Sequence, residues 1–259
     1  MTKPGEMSAE EMQKDIAFKT FAVQSLIGQR QRLLALMDLI ADTSGLSAEQ
    51  IQDILRTVPE TQSQFKQELF ALVAANGKRN GYFVEFGACD GRHLSNTNML
   101  EKMFDWRGIL VEPSRAWHTA LEADRSAIID LRFVSPESGK TVMFEEAKEL
   151  GESSVAKGPK TTRTKYPIET VSLMDLLDEH QAPKNIDYLS VDTVGTEFDI
   201  LDVFDFDKYK FGFISVHNQD DYPVTSLLES NGYRTLFPRE PDLISWSQVT
   251  GFDSWFVPK

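Results

Sequence analysis

The stretch from Gly81 to Gly91, GYFVEFGACDG, constrains the fold of this chain more than any other. A short apolar run, Tyr82 to Val84, leads into an acidic residue and then into a loop that contains Gly87 and Gly91. This order predicts a buried strand, a sharp turn and the start of a helix. Because glycine lets a backbone turn tightly and approach a bound molecule closely, we expect a ligand to lie at this turn.

Strand-like and helix-like segments alternate along the rest of the chain. Apolar runs bounded by turn residues predict further strands at Arg107 to Glu112, Ala127 to Val134, Thr141 to Glu145, Ile186 to Val191, Phe211 to Val216, Arg234 to Phe237 and Trp255 to Val257. Helices are predicted between most of them, including Thr170 to His180, and the polar stretch from Gly151 to Lys165 is predicted to be a loop. The alternation indicates βαβ units, so the predicted fold class is α/β, with a doubly wound and mostly parallel sheet.

The first part of the chain is predicted to be a helical N-terminal extension, residues 1–60, that precedes a domain at residues 61–259. A capping signal at Ser8 opens a stretch without proline that runs to about Ala41, and a second capping signal follows at Ser47. Lys19 and Arg30 interrupt a stripe of apolar residues at alternating spacings of three and four, namely Met12, Ile16, Val23, Leu26, Leu33, Met37 and Ile40. This stripe is expected either to dock on the domain or to form a homodimer, and both alternatives stay open.

Composition excludes several classes of partner. The net charge of −13 and the pI near 4.8 repel phosphate backbones, so no nucleic acid is expected as a partner. A single cysteine, Cys89, fits a reducing compartment. No apolar run approaches the roughly 18 residues of a membrane span, and the N-terminus lacks the layout of a signal peptide. We therefore expect a cytoplasmic protein that does not bind membranes.

The glycine loop and the next strand end indicate the kind of cofactor. A dinucleotide dehydrogenase has G-x-G-x-x-G after its first strand, whereas Gly87 and Gly91 are separated differently, which disfavours a nicotinamide-dependent oxidoreductase. Asp90 would repel a pyrophosphate but attract a cationic amine. Glu112, at the end of the second strand, is of the right type and in the right place to accept both ribose hydroxyls of an adenosine. S-adenosylmethionine, which combines an adenosine with an amino acid and lacks phosphate, matches this pattern.

Further motifs follow the predicted strand ends: HLSNTNML and ILVEPS after the glycine loop, then IDYLSVDTVGTEFDIL, FISVHN, GYRTLF and DSWFV. In this combination the chain resembles FkbM-type methyltransferase domains from about Ser63 to Pro258. The resemblance implies a Rossmann-like fold and an S-adenosylmethionine-dependent O-methyltransferase. It also implies a small-molecule or glycan acceptor that is methylated on a hydroxyl of a sugar, glycan or natural product.

The same resemblance, carried over by position, implies a set of site residues. The cofactor-binding residues would be Glu85, Gly87, Asp90, Gly91, Ser95, Asn96, Glu112, Phe133 or Val134, and Asp192. Within this set, Glu112 would hold the ribose, Phe133 or Val134 would lie against the adenine, and Asp192 would face the methyl-transfer region.

Methyl transfer from a sulfonium is an in-line displacement, so few catalytic residues are needed. His217 is the predicted base, since an ordinary imidazole is neutral at cellular pH. Asp192 is predicted to take the proton instead or to fix the histidine, and Glu197 completes the predicted catalytic set.

The chain departs from the family pattern at two positions. The loop after the fourth strand usually reads Asp-x-Glu-Gly-x-Glu, and here Val194 replaces the first glutamate. A later strand commonly ends in Glu-His-Asn, and here Val216 replaces the glutamate. Both positions are expected near the acceptor, so no metal site is predicted. The alternative function is a degenerate methyltransferase-fold binding or scaffold protein without transfer activity.

Overall fold

The computed structural model describes residues 9–43, 45–146, 154–155, 164–193, 195–217, 221–237, 249–250 and 253–259. Val194 and Asn218 lie outside the described residues, and so does most of the predicted loop from Gly151 to Lys165. The strands are β1 (Tyr82–Phe86), β2 (Arg107–Val111), β3 (Ile128–Asp130), β4 (Phe133–Val134), β5 (Thr141–Glu146), β6 (Ser154–Val155), β7 (Thr164–Val171), β8 (Asn185–Val191), β9 (Lys210–His217), β10 (Tyr233–Thr235) and β11 (Asp253–Pro258). The helices are α1 (Ala9–Asp42), α2 (Ala48–Thr57), α3 (Gln67–Ala74), α4 (Asn98–Phe104), α5 (Arg115–Asp124), α6 (Leu173–Glu179), α7 (Glu197–Asp202) and α8 (Asp221–Ser230).

The larger sheet has seven strands in the order β10-β11-β9-β8-β1-β2-β3. Strand β1 pairs in parallel with β2 on one side and with β8 on the other, so the strand order reverses at β1. Strands β3 and β9 extend the two halves in parallel, and β11 pairs antiparallel with both β9 and β10. The prediction of an α/β, doubly wound and mostly parallel sheet with a helical N-terminal extension is confirmed. In such a sheet, ligands bind outside the carboxyl ends of the strands at the point of reversal.

A smaller sheet of four strands, in the order β4-β7-β5-β6, was not expected. It corrects the prediction of a single strand from Ala127 to Val134, because the chain leaves the larger sheet after Asp130 and enters the smaller one at Phe133. Asp130 turns the chain at this point, since its carboxylate accepts hydrogen bonds from the backbone N–H and the guanidinium of Arg132.

Polar caps set where two helices begin. Ser47 and Gln50 form a reciprocal capping box at the start of α2, which confirms the second capping signal. The helix predicted from Thr170 begins later, because Thr170 and Val171 belong to β7. Ser172 then accepts a hydrogen bond from a backbone N–H of α6 and so fixes its first turn.

Two apolar cores cover the two faces of the larger sheet. Val84 and Phe86 point into one core and Phe83 points into the other, as alternation along a strand requires. Leu36 and Ile54, from the N-terminal extension, belong to the same core as Phe83. The extension therefore contributes to the core of the domain, and the division of the chain at residue 60 stays a prediction.

Helix α1 packs on the domain through residues in its second half. Arg32, Ala35 and Leu36 are buried, and the guanidinium of Arg32 lies 5.4 Å from the ring centre of Phe65. Many described side chains nearer its amino end are exposed. Among the residues that the structure describes, no helix is both long enough and apolar enough to cross a membrane.

Candidate functional site

The loops that follow β1 and β8 meet at the point where the strand order reverses. Gly87 has φ +75°, and a Cβ at this position would lie 2.5 Å from the backbone oxygen of Asp192. A side chain cannot be placed there without moving backbone, so glycine is required both for the turn and for the close approach. The prediction that Gly87 marks the ligand-approach point fits this geometry.

An apolar cleft opens on one side of this junction. Gly87, Cys89 and Asp192 line it at the junction, and its outer wall includes Val111, Glu112, Trp117, Phe133, Val134 and Phe144. Phe133 and Phe144 belong to strands of the smaller sheet. The centres of their two rings are 6.0 Å apart. The structure thus brings the predicted ribose residue and the predicted adenine wall together in one cleft.

Glu112 is buried, and two backbone groups hold its carboxylate in place. One oxygen accepts a hydrogen bond from the N–H of Cys89 at 2.7 Å, and the other accepts from the N–H of Ser114 at 2.7 Å. Burial raises the pKa of Glu112 to about 7, although these hydrogen bonds oppose the shift. The side chain of Cys89 is a further hydrogen-bonding partner of this carboxylate, whose two oxygens together can accept about four hydrogen bonds.

A polar cleft opens on the other side of the same junction. It shares Gly87, Cys89 and Asp192 with the apolar cleft, and its polar wall includes Gln64, Gln67, Glu85, His93, Asn96, Ser190, Ser215, His217 and Asp253. The two clefts therefore form one continuous surface across the carboxyl ends of β1, β8 and β9.

Asp192 lies at the centre of this surface. It lines both clefts, and no hydrogen bond joins its carboxylate to a residue that the structure describes. Burial raises the pKa of Asp192 to about 6, and nearby carboxylates add to the shift while His217 opposes it. At neutral pH the carboxylate is ionised and more basic than an ordinary aspartate.

His217 pairs with Asp253, a residue that the sequence prediction missed. The imidazole Nδ1 lies 3.2 Å from Oδ1 of Asp253, and this hydrogen bond raises the pKa of His217 to about 9. Asp192 and Glu197 add to the shift through their charges, while burial opposes it. The expectation of a neutral imidazole at cellular pH is therefore wrong for this structure. Asp253 is visible in the sequence only as an acidic residue before a terminal strand, and nothing there shows which strand it joins.

Glu85 holds the loop that follows the glycine turn, through hydrogen bonds to residues 95–97. Its carboxylate accepts hydrogen bonds from the N–H of Asn96 at 2.7 Å and from the hydroxyls of Ser95 and Thr97. The buried guanidinium of Arg125 lies 3.9 Å away and also donates to Ser95 and Thr97. Burial raises the pKa of Glu85, and Arg125 opposes the shift. Glu85 and Ser95 thus position the loop, and Glu85 and Asn96 both line the polar cleft.

Asp90 and Gly91 have contacts that differ from those predicted. Asp90 accepts hydrogen bonds from the backbone N–H groups of Arg92 and His93 and lines neither cleft. A Cβ at Gly91 would lie 2.6 Å from side-chain atoms of Arg125 and Leu121, so this glycine allows packing against α5. Asp90 was expected to contact a cationic amine directly, but its carboxylate is bonded to its own loop and does not line a cleft. The acidic groups of the polar cleft are Glu85, Asp192 and Asp253 instead.

Two further residues at strand ends turn away from the clefts. Glu197 is buried and accepts hydrogen bonds from the backbone N–H groups of Thr193 and Gly195, so it fixes the loop after Asp192. Its contacts are those of a positioning residue, not of the predicted catalytic residue. Val216 is 0 % exposed and belongs to an apolar core, because alternation along β9 points Ser215 and His217 into the polar cleft. The expectation that Val216 faces the acceptor is wrong.

The fold and the adjoining clefts define a doubly wound α/β domain with a small-molecule site at its point of strand-order reversal. Residues 85–235 match the family described as the methyltransferase FkbM domain. The chain belongs to this family, which confirms the resemblance seen in its motifs. Methyl transfer is the chemistry that this class of domain performs.

Among solved structures, the chain is similar to the plantazolicin methyltransferase BpumL in complex with SAH. The two share 8 % identity, the match covers 95 % of this chain and 98 % of that chain, and the TM-score is 0.36. A likeness at this level carries no argument about fold or function. No curated protein sequence matches the chain.

Proposed function

We propose that the protein is an S-adenosylmethionine-dependent O-methyltransferase that acts on a hydroxyl of a sugar, glycan or natural-product acceptor. The observation that carries this proposal is the junction of an apolar and an acidic cleft at Gly87 and Asp192. An adenosine needs aromatic walls and a carboxylate for its ribose, whereas the amino-acid portion of this cofactor carries positive charge. The two clefts provide these two environments side by side.

The residues of the apolar cleft fit an adenosine. Trp117, Phe133 and Phe144 supply apolar surface for the base. Glu112 is held by the backbone N–H groups of Cys89 and Ser114 and lines the cleft, so its carboxylate is placed to accept from the ribose hydroxyls. Ionised Glu112 accepts both hydroxyls, so binding of the nucleoside favours the deprotonated form.

The charges of the polar cleft fit a cation. Glu85, Asp192 and Asp253 contribute three carboxylates to its wall, and two cations lie beside them, namely the buried guanidinium of Arg125 next to Glu85 and the imidazolium of His217 next to Asp253. This excess of negative charge stabilises a sulfonium and an ammonium and opposes a phosphate. The same charge disfavours a dinucleotide cofactor and a phosphorylated acceptor.

When bound, S-adenosylmethionine supplies an electrophilic methyl group on a cationic sulfur. In the proposed reaction, Asp192 takes the proton of the acceptor hydroxyl, because it lines both clefts and is ionised at neutral pH. His217 is held through Nδ1 by Asp253 and lines the polar cleft, so its imidazolium is placed to orient the acceptor. The sequence predicted His217 as the base, whereas in this proposal Asp192 is the base and His217 orients the acceptor.

The remaining wall of the polar cleft favours a neutral, hydroxylated acceptor. Gln64 and Asn96 line this wall with side-chain amides, which are groups that both donate and accept hydrogen bonds. Such groups pair well with the hydroxyls of a sugar or a polyhydroxylated natural product.

The position of Val216 weakens the alternative of a binding protein without transfer activity. Because Val216 is buried in an apolar core, its presence removes no carboxylate from the clefts. Asp253 supplies a carboxylate beside His217 from another strand. The polar cleft therefore keeps a carboxylate and an imidazole, which are the groups that proton transfer and orientation require.

The proposal is tested by incubating the protein with methyl-labelled S-adenosylmethionine and a panel of neutral sugars, glycosides and hydroxylated natural products. We expect label in an O-methyl ether of at least one acceptor, and a rate on the order of a hundredfold lower for Asp192→Asn. Calorimetry measures binding of the same cofactor without any acceptor. Failure of the cofactor to bind would refute the proposal, whereas binding without transfer to any acceptor would support the binding-protein alternative.

A further inference from the structure

Helix α1 has two faces with different surroundings. Gly28, Arg32, Ala35 and Leu36 are buried against the domain and form its docking face. The apolar stripe of alternating threes and fours lies on the opposite side of the helix, as the angle of 100° per residue requires. The sequence left open whether the stripe docks on the domain. In the structure its last member, Ile40, packs against the core of the domain, and the rest of the docking is done by residues outside the stripe.

The stripe is exposed along most of its length. Six of its seven apolar side chains are between 38 % and 64 % exposed, namely Met12, Ile16, Val23, Leu26, Leu33 and Met37. Ile27 and Leu34 lie beside it and are 41 % and 40 % exposed. Contiguous apolar patches on monomeric proteins rarely exceed about 300–600 Å², and a larger one marks an interaction site.

The spacing of the stripe identifies the kind of surface that covers it. A repeat of alternating threes and fours has a period of about 3.5 residues, which keeps a narrow seam facing another helix along a shared supercoil. A helix that lies on a flat surface instead follows the 3.6-residue period and has a broad apolar face rimmed by basic residues. The stripe runs from Met12 to Ile40, which at about 1.5 Å per residue is on the order of 40 Å.

We propose that α1 pairs antiparallel with α1 of a second copy of this chain, so that the protein is a homodimer held by the stripe. Each copy contributes eight half-exposed apolar side chains along a seam that is on the order of 40 Å long. The acidic chains carry a net charge of −13 each, and an apolar seam is the contact that overcomes their mutual repulsion.

The two basic interruptions determine the orientation. A parallel, in-register pair places Lys19 against Lys19 and Arg30 against Arg30 of the other copy, which is unfavourable. The antiparallel register that places Val23 opposite Leu33 also places Lys19 opposite Met37 and Arg30 opposite Leu26. In that register each long basic side chain covers an apolar partner with its methylene groups and extends its charge into water.

The mass of the full chain in solution, measured by sedimentation velocity at micromolar concentration, tests the dimer. We expect twice the chain mass of 29.3 kDa for the wild type and the mass of a monomer for Val23→Asp/Leu26→Asp. Phe18→Asp is the matched control, because Phe18 is 71 % exposed on the same helix but lies off the stripe, and this variant stays dimeric. In Lys19→Leu/Arg30→Leu, the dissociation constant of the dimer is expected to fall at least tenfold. This second variant tests the same stripe if Val23→Asp/Leu26→Asp does not fold.

Disulfide trapping tests the orientation. A mixture of Val23→Cys chains and Leu33→Cys chains is expected to cross-link, whereas Val23→Cys chains alone are not. Cross-linking of Val23→Cys chains with each other would contradict the antiparallel arrangement. If the wild type is a monomer at every concentration, the dimer is refuted. In that case, wild-type binding to lipid vesicles that is lost in Val23→Asp/Leu26→Asp would assign the stripe to a membrane surface.

Discussion

Asp253 stands directly opposite His217 across the antiparallel pair of β11 and β9, and its carboxylate lies 3.2 Å from the imidazole Nδ1. The second oxygen of Asp253 accepts a hydrogen bond from the side chain of Gln67 at 2.8 Å. The last described strand and the start of α3 thus meet behind the histidine. This arrangement raises the pKa of His217 to about 9, which is why the proposed reaction uses Asp192 as the proton acceptor.

The charge of His217 is predicted to depend on Asp253. In Asp253→Asn, the pKa of His217 is expected to fall from about 9 toward the ordinary value of about 6.5. Titration of the imidazole resonances of the wild type and of Asp253→Asn by NMR checks this. An unchanged titration of His217 would show that other groups hold its proton.

The carboxylate of Asp192 is predicted to recognise the positive charge of the cofactor. S-adenosylmethionine carries a sulfonium and S-adenosylhomocysteine does not, so Asp192→Asn should weaken binding of the first more than binding of the second. The expected difference is on the order of tenfold for a charge pair in a partly buried site. Calorimetric titration of both compounds measures it. Equal losses for the two compounds would place Asp192 away from the sulfur.

Binding of the cofactor is predicted to release a proton near pH 7. The ribose hydroxyls favour ionised Glu112, whose pKa of about 7 in the free protein must fall when they bind. Affinity should therefore increase as the pH rises from about 6 to about 8. Titrations in buffers of different ionisation enthalpy count the protons released, and the release should be smaller in Glu112→Gln. Proton uptake would contradict the assignment of Glu112 to the ribose.

The buried carboxylate of Glu68 is predicted to make the fold less stable as the pH rises. Burial raises its pKa to about 7 from an ordinary value of 4.5, so the folded state binds more protons than the unfolded state between these values. The free energy of unfolding should fall across this window by on the order of 3 kcal/mol from this group. Glu68→Gln can still accept from the N–H groups of Gln62 and Ser63 through its amide oxygen.

Urea unfolding at pH 5 and pH 8 measures the effect. We expect Glu68→Gln to be more stable than the wild type at pH 8 and similar to it at pH 5. A variant that is less stable at both values would show that the ionised carboxylate is a favourable group in this core.

The central sheet and the apolar cleft were predictable from the sequence, because they depend on local patterns. The run Tyr82 to Val84, the glycine loop and the acid at the end of the second strand together specify a strand, a turn and a carboxylate beside that turn. Glu112 and Phe133 reach the same cleft because each follows a parallel strand of one sheet. Asn96 and Asp192 line the polar cleft for the same reason.

The polar cleft was less predictable, because its residues meet through long-range pairing. Asp253 faces His217 only because β11 inserts antiparallel beside β9, and no local pattern encodes that neighbour. Asp90 and Glu197 have the residue types of ligand-binding groups, yet each satisfies backbone N–H groups of its own loop. Residue type and position along the chain do not distinguish a carboxylate that faces a ligand from one that holds a loop.

The most direct test of the proposed cofactor site is calorimetric titration of S-adenosylhomocysteine into the wild type, Gly87→Ala and Gly139→Ala. Both glycines have a positive φ, but a Cβ at position 87 would lie 2.5 Å from the backbone of Asp192, whereas a Cβ at position 139 has nothing within 4 Å. We predict that the wild type and Gly139→Ala bind alike and that Gly87→Ala loses on the order of a hundredfold in affinity. Equal binding by all three proteins, or no binding by the wild type, would contradict the site at this junction.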